Sequence, residues 1–227
     1  MLKAFSIVLL AIFGGMVVVF LNPDFFLKNK INYENIVLHS GGKISLKAED
    51  VLRDVYSRLK SFKLFDSNQK YDVYIMKSFG QYGFFARFSK ESYVWVNPLN
   101  GKILVARADF ENNKAYRKGC DVVRRVDAVL TKGIVLSVLR NKLGFLKYIA
   151  LKEWKKQGIA ERVAGETELF LTSELCEKRQ DMNFLHYQYM MAVDTLMKGE
   201  NMDVKDVLNA KDSFEGVKRK FERRYCR

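Results

Sequence analysis

The chain is poor in three residue types that would otherwise point to a class of protein. Its 227 residues include 2 prolines, 3 cysteines and 2 histidines. Two prolines and no internal repeat exclude a collagen-like or proline-rich chain. Three scattered cysteines without a CxxC pair are too few for a disulfide framework, and two histidines argue against a metal centre built from several histidines. The rest is typical of a globular protein, with 48% hydrophobic and 29% charged residues.

The chain begins with an uncharged apolar run. Residues 4–21 read AFSIVLLAIFGGMVVVFL, and a helix of that length spans roughly 27 Å, close to the hydrocarbon thickness of a membrane. The exit, FLNPDFF, has no small-residue cleavage site of the kind that ends a signal peptide. We therefore predict an uncleaved single-pass anchor over residues 1–22, with a cleaved signal peptide and a buried helix as alternatives. Lys3 before the run and Lys28 and Lys30 after it leave the orientation open.

The remainder predicts one α+β domain behind a short connector. Residues 23–35 are expected to form an amphipathic juxtamembrane connector, and residues 36–227 the domain. Strand patterns and one helix come first and helices follow, an order that indicates a small, mainly antiparallel sheet and a helical C-terminal half. We expect an aromatic loop at 79–88 and a hairpin turn at Asn100-Gly101. The expected early elements are strands at 36–38, 71–76, 93–97 and 102–106, and a helix at 45–62.

Positive charge is concentrated in two parts of the chain. The formal net charge is +13, and residues 101–160 carry 14 basic and 5 acidic residues, a balance of +9. A second basic run near the C-terminus contains Lys218, Arg219, Lys220, Arg223 and Arg224. Beside a membrane anchor such charge suits anionic lipid headgroups, and a solvated face without a partner is the alternative. No helix-turn-helix, RNP or zinc-finger pattern accompanies the charge, which disfavours nucleic acid as a partner.

The most informative stretch runs from residue 126 to residue 166. Apolar residues recur there at three- and four-residue steps and predict an amphipathic helix that ends at Gly144. A turn of aromatic and basic residues follows. A second short helix is expected to begin near Gly158 and to hold Glu161.

With these segments the chain resembles the bacterial membrane-anchored, zincin-like domain proteins of the gluzincin type. The resemblance implies a zincin-like fold over nearly the whole chain, a helix that bears an HExxH zinc motif, and a later glutamate as the third zinc ligand. The matching pieces are the anchor ending at Asn22-Pro23, NIVLHS at 35–40, NPLNGKILV at 97–105, RNKLG at 140–144 and WKKQGIAERVAG at 154–165.

The HExxH box is degenerate in this chain. Counted back from the leucine–glycine exit, its positions fall on Lys132, Gly133 and Leu136, and the resemblance places the third ligand at Glu161. Zinc needs two imidazoles on one helical face, with a carboxylate between them as general base. Lys132 offers a cation instead, Gly133 has no carboxylate and Leu136 has no lone pair. We therefore predict no catalytic residues, no metal site and no cofactor.

The predicted function is consequently non-catalytic. It is the binding of a protein or peptide in the former substrate cleft, or a structural role at the membrane. Two alternatives stay open: an active membrane-bound hydrolase with an unrecognised site, such as Cys120 or Cys176 paired with a histidine, and a basic module that binds the anionic membrane surface. His186, among aromatic residues, is expected to be a packed histidine. The resemblance places the domain outside the cytoplasm at the cell membrane, and the oligomeric state is left open.

Overall fold

The computed structural model describes residue 15 and residues 22–87, 89–166, 170, 172–177, 179 and 181–226. The predicted anchor lies almost entirely outside this part of the chain and stays a prediction. Over the ranges just given, no helix is both long and apolar enough to cross a membrane.

The described residues form a mixed α+β fold, which confirms the predicted class. All strands of the described residues come before residue 126, with two helices between them, and five further helices follow. The strands are β1 (Asn29–Tyr33), β2 (Ile36–Ser40), β3 (Tyr71–Ile75), β4 (Val94–Val96), β5 (Ile103–Val105), β6 (Arg107–Asp109), β7 (Lys114–Tyr116) and β8 (Arg124–Arg125). The helices are α1 (Lys47–Lys60), α2 (Phe79–Phe85), α3 (Val126–Ala150), α4 (Glu153–Ala164), α5 (Met182–Asp194), α6 (Val204–Asn209) and α7 (Phe214–Tyr225). Short 3-10 turns lie at Pro23–Phe25 and Thr172–Cys176, and a π-helical turn lies at Thr195–Gly199.

The main sheet has five strands in the order β1-β2-β3-β5-β4. Its two outer pairs are antiparallel, as expected, but β2–β3 and β3–β5 are parallel. The prediction of a mainly antiparallel sheet is therefore wrong for its centre. The connections between the strands explain the difference. The helix α1 connects β2 to β3, and α2 with β4 connects β3 to β5. Crossover connections of this kind return the chain in the same direction, so the strands that they join are parallel. The strands β6, β7 and β8 form a separate antiparallel sheet.

The predicted connector, residues 23–35, is part of the folded domain. Its second half is β1, which pairs with β2 from Asn29 opposite Ser40 to Tyr33 opposite Ile36. The alternation of apolar and polar residues in β1 explains the pairing, because Ile31 and Tyr33 pack against the core.

Helices cover one face of the main sheet. Leu52 and Val55 of α1 and Val129 of α3 share a core with Leu38 and Val73 of the sheet. The other face is covered by the 3-10 turn that precedes β1 and by α2, in a smaller cluster that includes Leu27, Tyr74, Tyr82, Phe85 and Leu104. The expected aromatic loop is thus mostly a helix. Ser78 caps it by accepting a hydrogen bond from the N–H of Gln81, and its two buried aromatic side chains hold it on the sheet.

The long helix α3 breaks where the sequence predicts. Gly144 has φ of 74° and lies outside the helical region. The turn expected directly after it is wrong, because the chain resumes a helix to Ala150. The next helix, α4, begins at Glu153 rather than near Gly158. Gly158 lies in its middle, where α4 meets α5 so closely that a Cβ atom would approach the carbonyl oxygen of Tyr189 to 2.3 Å.

A disulfide joins Cys176 to Cys226, with Cα atoms 5.6 Å apart. It ties the 3-10 turn at Thr172–Cys176 to the end of α7. Cysteine spacing did not indicate it, since the two residues are 50 positions apart and nothing local links them.

Candidate functional site

Two of the four positions assigned to the degenerate zinc motif lie in direct contact. Lys132 of α3 donates a hydrogen bond from Nζ to Oε1 of Glu161 of α4 at 2.6 Å. Both side chains are buried. The tertiary structure therefore brings together the first and third expected ligand positions, but as a lysine–carboxylate ion pair.

Glu161 also pairs with a second cation, Arg124, which the sequence analysis did not identify as a site residue. Arg124 of β8 binds it through two nitrogens, Nη1 to Oε1 at 2.8 Å and Nη2 to Oε2 at 2.7 Å. The third nitrogen of Arg124, Nε, lies 2.6 Å from Oε2 of Glu166. Glu166 in turn accepts a hydrogen bond from the backbone N–H of Arg125 at 2.7 Å. Two cations and two carboxylates thus balance each other in this buried cluster, as a buried charge requires.

The cluster keeps Glu161 ionised. Burial by itself raises the pKa of this carboxyl group, but the nearby cations of Arg124 and Lys132 outweigh burial and hold the pKa well below its usual range. The carboxylate lone pairs are therefore engaged by these two side chains.

A histidine from a third helix completes the cluster. His186 of α5 lies with Nδ1 3.2 Å from Nζ of Lys132 and 3.6 Å from Oε1 of Glu161, and its ring packs beside Tyr189. Burial, together with the Lys132 cation, lowers the pKa of His186 to about 3. The ring is therefore neutral near pH 7, and Nδ1 accepts from the lysine. The 54 residues that separate His186 from Lys132 hide this contact from any local pattern.

The other two motif positions serve packing. Gly133 faces the main sheet, and a Cβ atom there would lie 2.7 Å from methyl carbons of Ile103 and Val94. Leu136, one turn of α3 beyond Lys132, is buried and lines the cleft described below. Gly133 is thus required by the close approach of α3 to β4 and β5.

The residues at this site do not fit zinc. The cluster contains two carboxylates and one imidazole, but Arg124 and Lys132 already bind Glu161, Arg124 binds Glu166, and Lys132 faces Nδ1 of His186. A catalytic zinc site needs about three free protein ligands and a structural site about four. Within the described ranges, no three histidine, cysteine, aspartate or glutamate side chains are grouped so that they could hold a metal ion.

An open cleft of about 630 Å³ lies directly beside this cluster. Its floor includes Lys132, Leu136 and His186. One wall is β4, and Ile149 and Met182 of the helical half are exposed apolar side chains at its margin. Basic side chains outnumber acidic ones around it: Arg87, Lys90, Arg117, Lys132 and Lys156 against Glu91 and Glu153.

The strand β4 is an edge of the main sheet in the described part of the chain. The carbonyl of Tyr93 and the N–H of Asn97 are hydrogen-bonded on the β5 side. In an antiparallel ladder the backbone groups of successive residues face opposite sides. Those of Val94 and Val96 therefore point away from β5, and both residues line the cleft.

No family model and no curated protein matches the chain. The zincin-like assignment therefore stays a prediction based on the sequence segments quoted above. The geometry of the cluster and the cleft is independent of that assignment.

The five basic residues near the C-terminus lie on α7. Val217 and Phe221 bury one face of this helix. Lys218 pairs with Glu222 at 3.8 Å, and Lys220 pairs with Glu200 at 2.6 Å. Arg219, Arg223 and Arg224 are exposed. Among the described residues, no acidic side chain forms an ion pair with them. Three of the five positions thus present charge to solvent.

The two cysteines considered as possible nucleophiles, Cys120 and Cys176, differ in their bonding state. Cys176 is bound to Cys226 and cannot act as a nucleophile. Cys120 is a free thiol next to the cleft, 3.7 Å from the Tyr93 hydroxyl and 3.9 Å from Nδ2 of Asn183. Burial raises its pKa, but hydrogen bonds from Tyr93 and neighbouring groups outweigh burial and lower it. No hydrogen bond joins Cys120 to a histidine in the described part of the chain.

Proposed function

We propose that the chain is a membrane-anchored, zincin-like domain that has lost its metal site and binds an extended peptide in its cleft. The observation that carries the proposal is the ion pair between Lys132 and Glu161 at the foot of an open cleft. A lysine ammonium takes up the carboxylate that would otherwise face a metal, while the groove beside it stays accessible.

The edge strand supplies the means of binding. An extended peptide can add to an exposed strand through backbone hydrogen bonds alone, and side-chain pockets then give specificity. The outward backbone groups of Val94 and Val96 are suited to this addition. Leu136, Ile149 and Met182 offer apolar contacts to alternate peptide side chains, and the excess of basic residues favours acidic peptides.

The location is part of the proposal. The apolar run at residues 4–21 supports attachment to the cell membrane. The Cys176–Cys226 disulfide supports a domain outside the cytoplasm, since disulfides persist in oxidising compartments and are rare in reducing ones.

The test uses the full-length protein in detergent micelles and a bead-displayed library of short random peptides. Selected peptides are then resynthesised with one N-methyl group at a time. We expect a methyl group at every second residue of the peptide to abolish binding, and a methyl group at the residues between to leave binding unchanged. The reason is that alternate N–H groups of an added strand face β4.

A matched pair of variants locates the binding. Ile149→Glu, at the cleft margin, should weaken binding of an acidic peptide at least tenfold. Leu146→Glu, one turn earlier on the same exposed helical segment and outside the cleft lining, should leave it unchanged. Uniform loss on methylation, or equal effects of the two variants, would contradict strand addition. One zinc per chain, or cleavage of the peptides, would contradict the non-catalytic interpretation.

Arg219, Arg223 and Arg224 support a second candidate, a surface that binds anionic lipid. Short-chain phosphatidylglycerol serves as the probe. The second candidate predicts that this lipid raises the Tm of the wild type in a salt-sensitive way. It should not raise the Tm of a variant in which all three arginines are changed to glutamine. If both results are found and no peptide binds, the second candidate replaces the first.

A further inference from the structure

Three phenylalanines form an exposed patch on the side of the main sheet that faces away from α1 and α3. Phe25, Phe26 and Phe84 have exposed fractions of 61%, 49% and 51%. The ring of Phe85, which is buried, links two of them, since its centroid lies 6.0 Å from that of Phe26 and 5.0 Å from that of Phe84. Two separate segments, the 3-10 turn before β1 and the end of α2, thus contribute to one aromatic surface, called here the aromatic patch.

The patch is held rigidly on the sheet. Asp24, next to Phe25, accepts a hydrogen bond from the Tyr74 hydroxyl at 3.0 Å and another from Nζ of Lys102 at 2.7 Å. The ring of His39 stacks on Tyr74, with Nδ1 3.5 Å from Asp24. Leu27 is fully buried beneath. The segment that leads from the apolar run into the domain is therefore fixed to the domain, and its direction is set by the fold.

The surroundings of the patch indicate its partner. The uncharged run ends at Leu21, four residues before Phe25. Exposed basic residues flank the patch on its own two segments, Lys28 on one and Lys77 and Arg87 on the other. Aromatic side chains prefer the interface between hydrocarbon and water, and basic residues are attracted to anionic headgroups.

We infer that the aromatic patch lies in the headgroup layer of the membrane and fixes the orientation of the domain on the bilayer. The partner is the lipid surface itself. The inference rests on the membrane attachment proposed above and not on the peptide cleft. The domain then has one fixed orientation on the bilayer. The face bearing α2 contacts lipid, and the helical layer points away from the membrane.

The test reads the depth of a spin label in full-length protein reconstituted into vesicles of phosphatidylcholine and phosphatidylglycerol. Phe84→Cys carries the label in a Cys120→Ser background, so that no other free thiol reacts. The matched control is Asn209→Cys, an exposed position at the end of α6 in the helical layer. Flotation of the same samples reports attachment, and circular dichroism reports folding.

The label at position 84 should have an oxygen-to-nickel accessibility ratio several times that of the label at position 209. Adding Phe25→Ser and Phe26→Ser should lower the ratio at position 84 without reducing flotation. Flotation with equal ratios at positions 84 and 209 would overturn the inference while leaving the attachment intact. Failure to float would overturn both.

Discussion

At the scale of single residues, the buried cluster depends on a balance of charge. Lys132 and Arg124 are each compensated by Glu161, and Glu166 completes the set. A buried ion pair is costly to break, by about 3–5 kcal/mol, because the remaining charge is left without compensation. This explains how a lysine can occupy a position where the resemblance implies a zinc ligand: the neighbouring carboxylate makes its burial tolerable.

The neutral imidazole of His186 predicts a specific pH dependence of stability. Its pKa is about 3 in the folded chain against 6.5 for an ordinary histidine, so the unfolded chain binds the proton first as the pH falls. The free energy of unfolding should therefore decrease below pH 6.5, by up to about 1.4 kcal/mol per pH unit. Urea unfolding of the full-length protein in detergent should show this loss. In His186→Asn the unfolding free energy should change less over the same range, and identical slopes would contradict the assignment.

At the scale of elements, the packing of α4 on α5 depends on a glycine in the middle of a helix. Glycine there lowers intrinsic helix stability by about 1 kcal/mol relative to alanine. Here the close contact of Gly158 with the backbone of Tyr189 explains its presence. The same contact positions Glu161, one turn further along α4, next to Lys132.

The Gly158→Ala variant tests this contact. Its Cβ atom would meet the Tyr189 carbonyl oxygen at 2.3 Å and a methyl carbon of Val193 at 2.6 Å. We expect the free energy of unfolding to fall by about 1–3 kcal/mol. The control is Gly42→Ala, where nothing lies within 4 Å and a change within about 0.5 kcal/mol is expected. Equal effects of the two substitutions would show that helix packing does not require the glycine.

At the scale of the whole molecule, the disulfide fastens the C-terminal helix to the rest of the domain. It closes a loop between positions 50 residues apart, and a cross-link of this kind typically stabilises a protein by about 2–4 kcal/mol. In an extracytoplasmic domain both partners would be oxidised, and Cys120 would be the free thiol.

Thiol counting by mass spectrometry checks this arrangement. Protein purified from membranes and denatured without reductant should add one maleimide per chain, at Cys120, and three after reduction. Cys176→Ser should lower the free energy of unfolding by about 2–4 kcal/mol. Three reactive thiols before reduction would contradict both the disulfide and the proposed compartment.

The sequence by itself determined the local features of this protein. The α+β order, the hairpin at Asn100-Gly101 and the break at Gly144 follow from patterns within one segment, because periodic burial and backbone freedom are local properties. The chemistry at Lys132, Gly133 and Leu136 is also local: none of these residues has the imidazole or carboxylate that the HExxH motif supplies.

Only the tertiary structure decided which distant residues meet. The parallel pairing at the centre of the sheet, the Arg124 and His186 contacts to the cluster and the Cys176–Cys226 bond all join segments far apart in the chain. Such contacts depend on the path between the segments, which no local pattern encodes. Gly158 is an example. In the sequence, a glycine that ends a helix cannot be distinguished from a glycine that allows two helices to pack closely, because the second role depends on a distant helix.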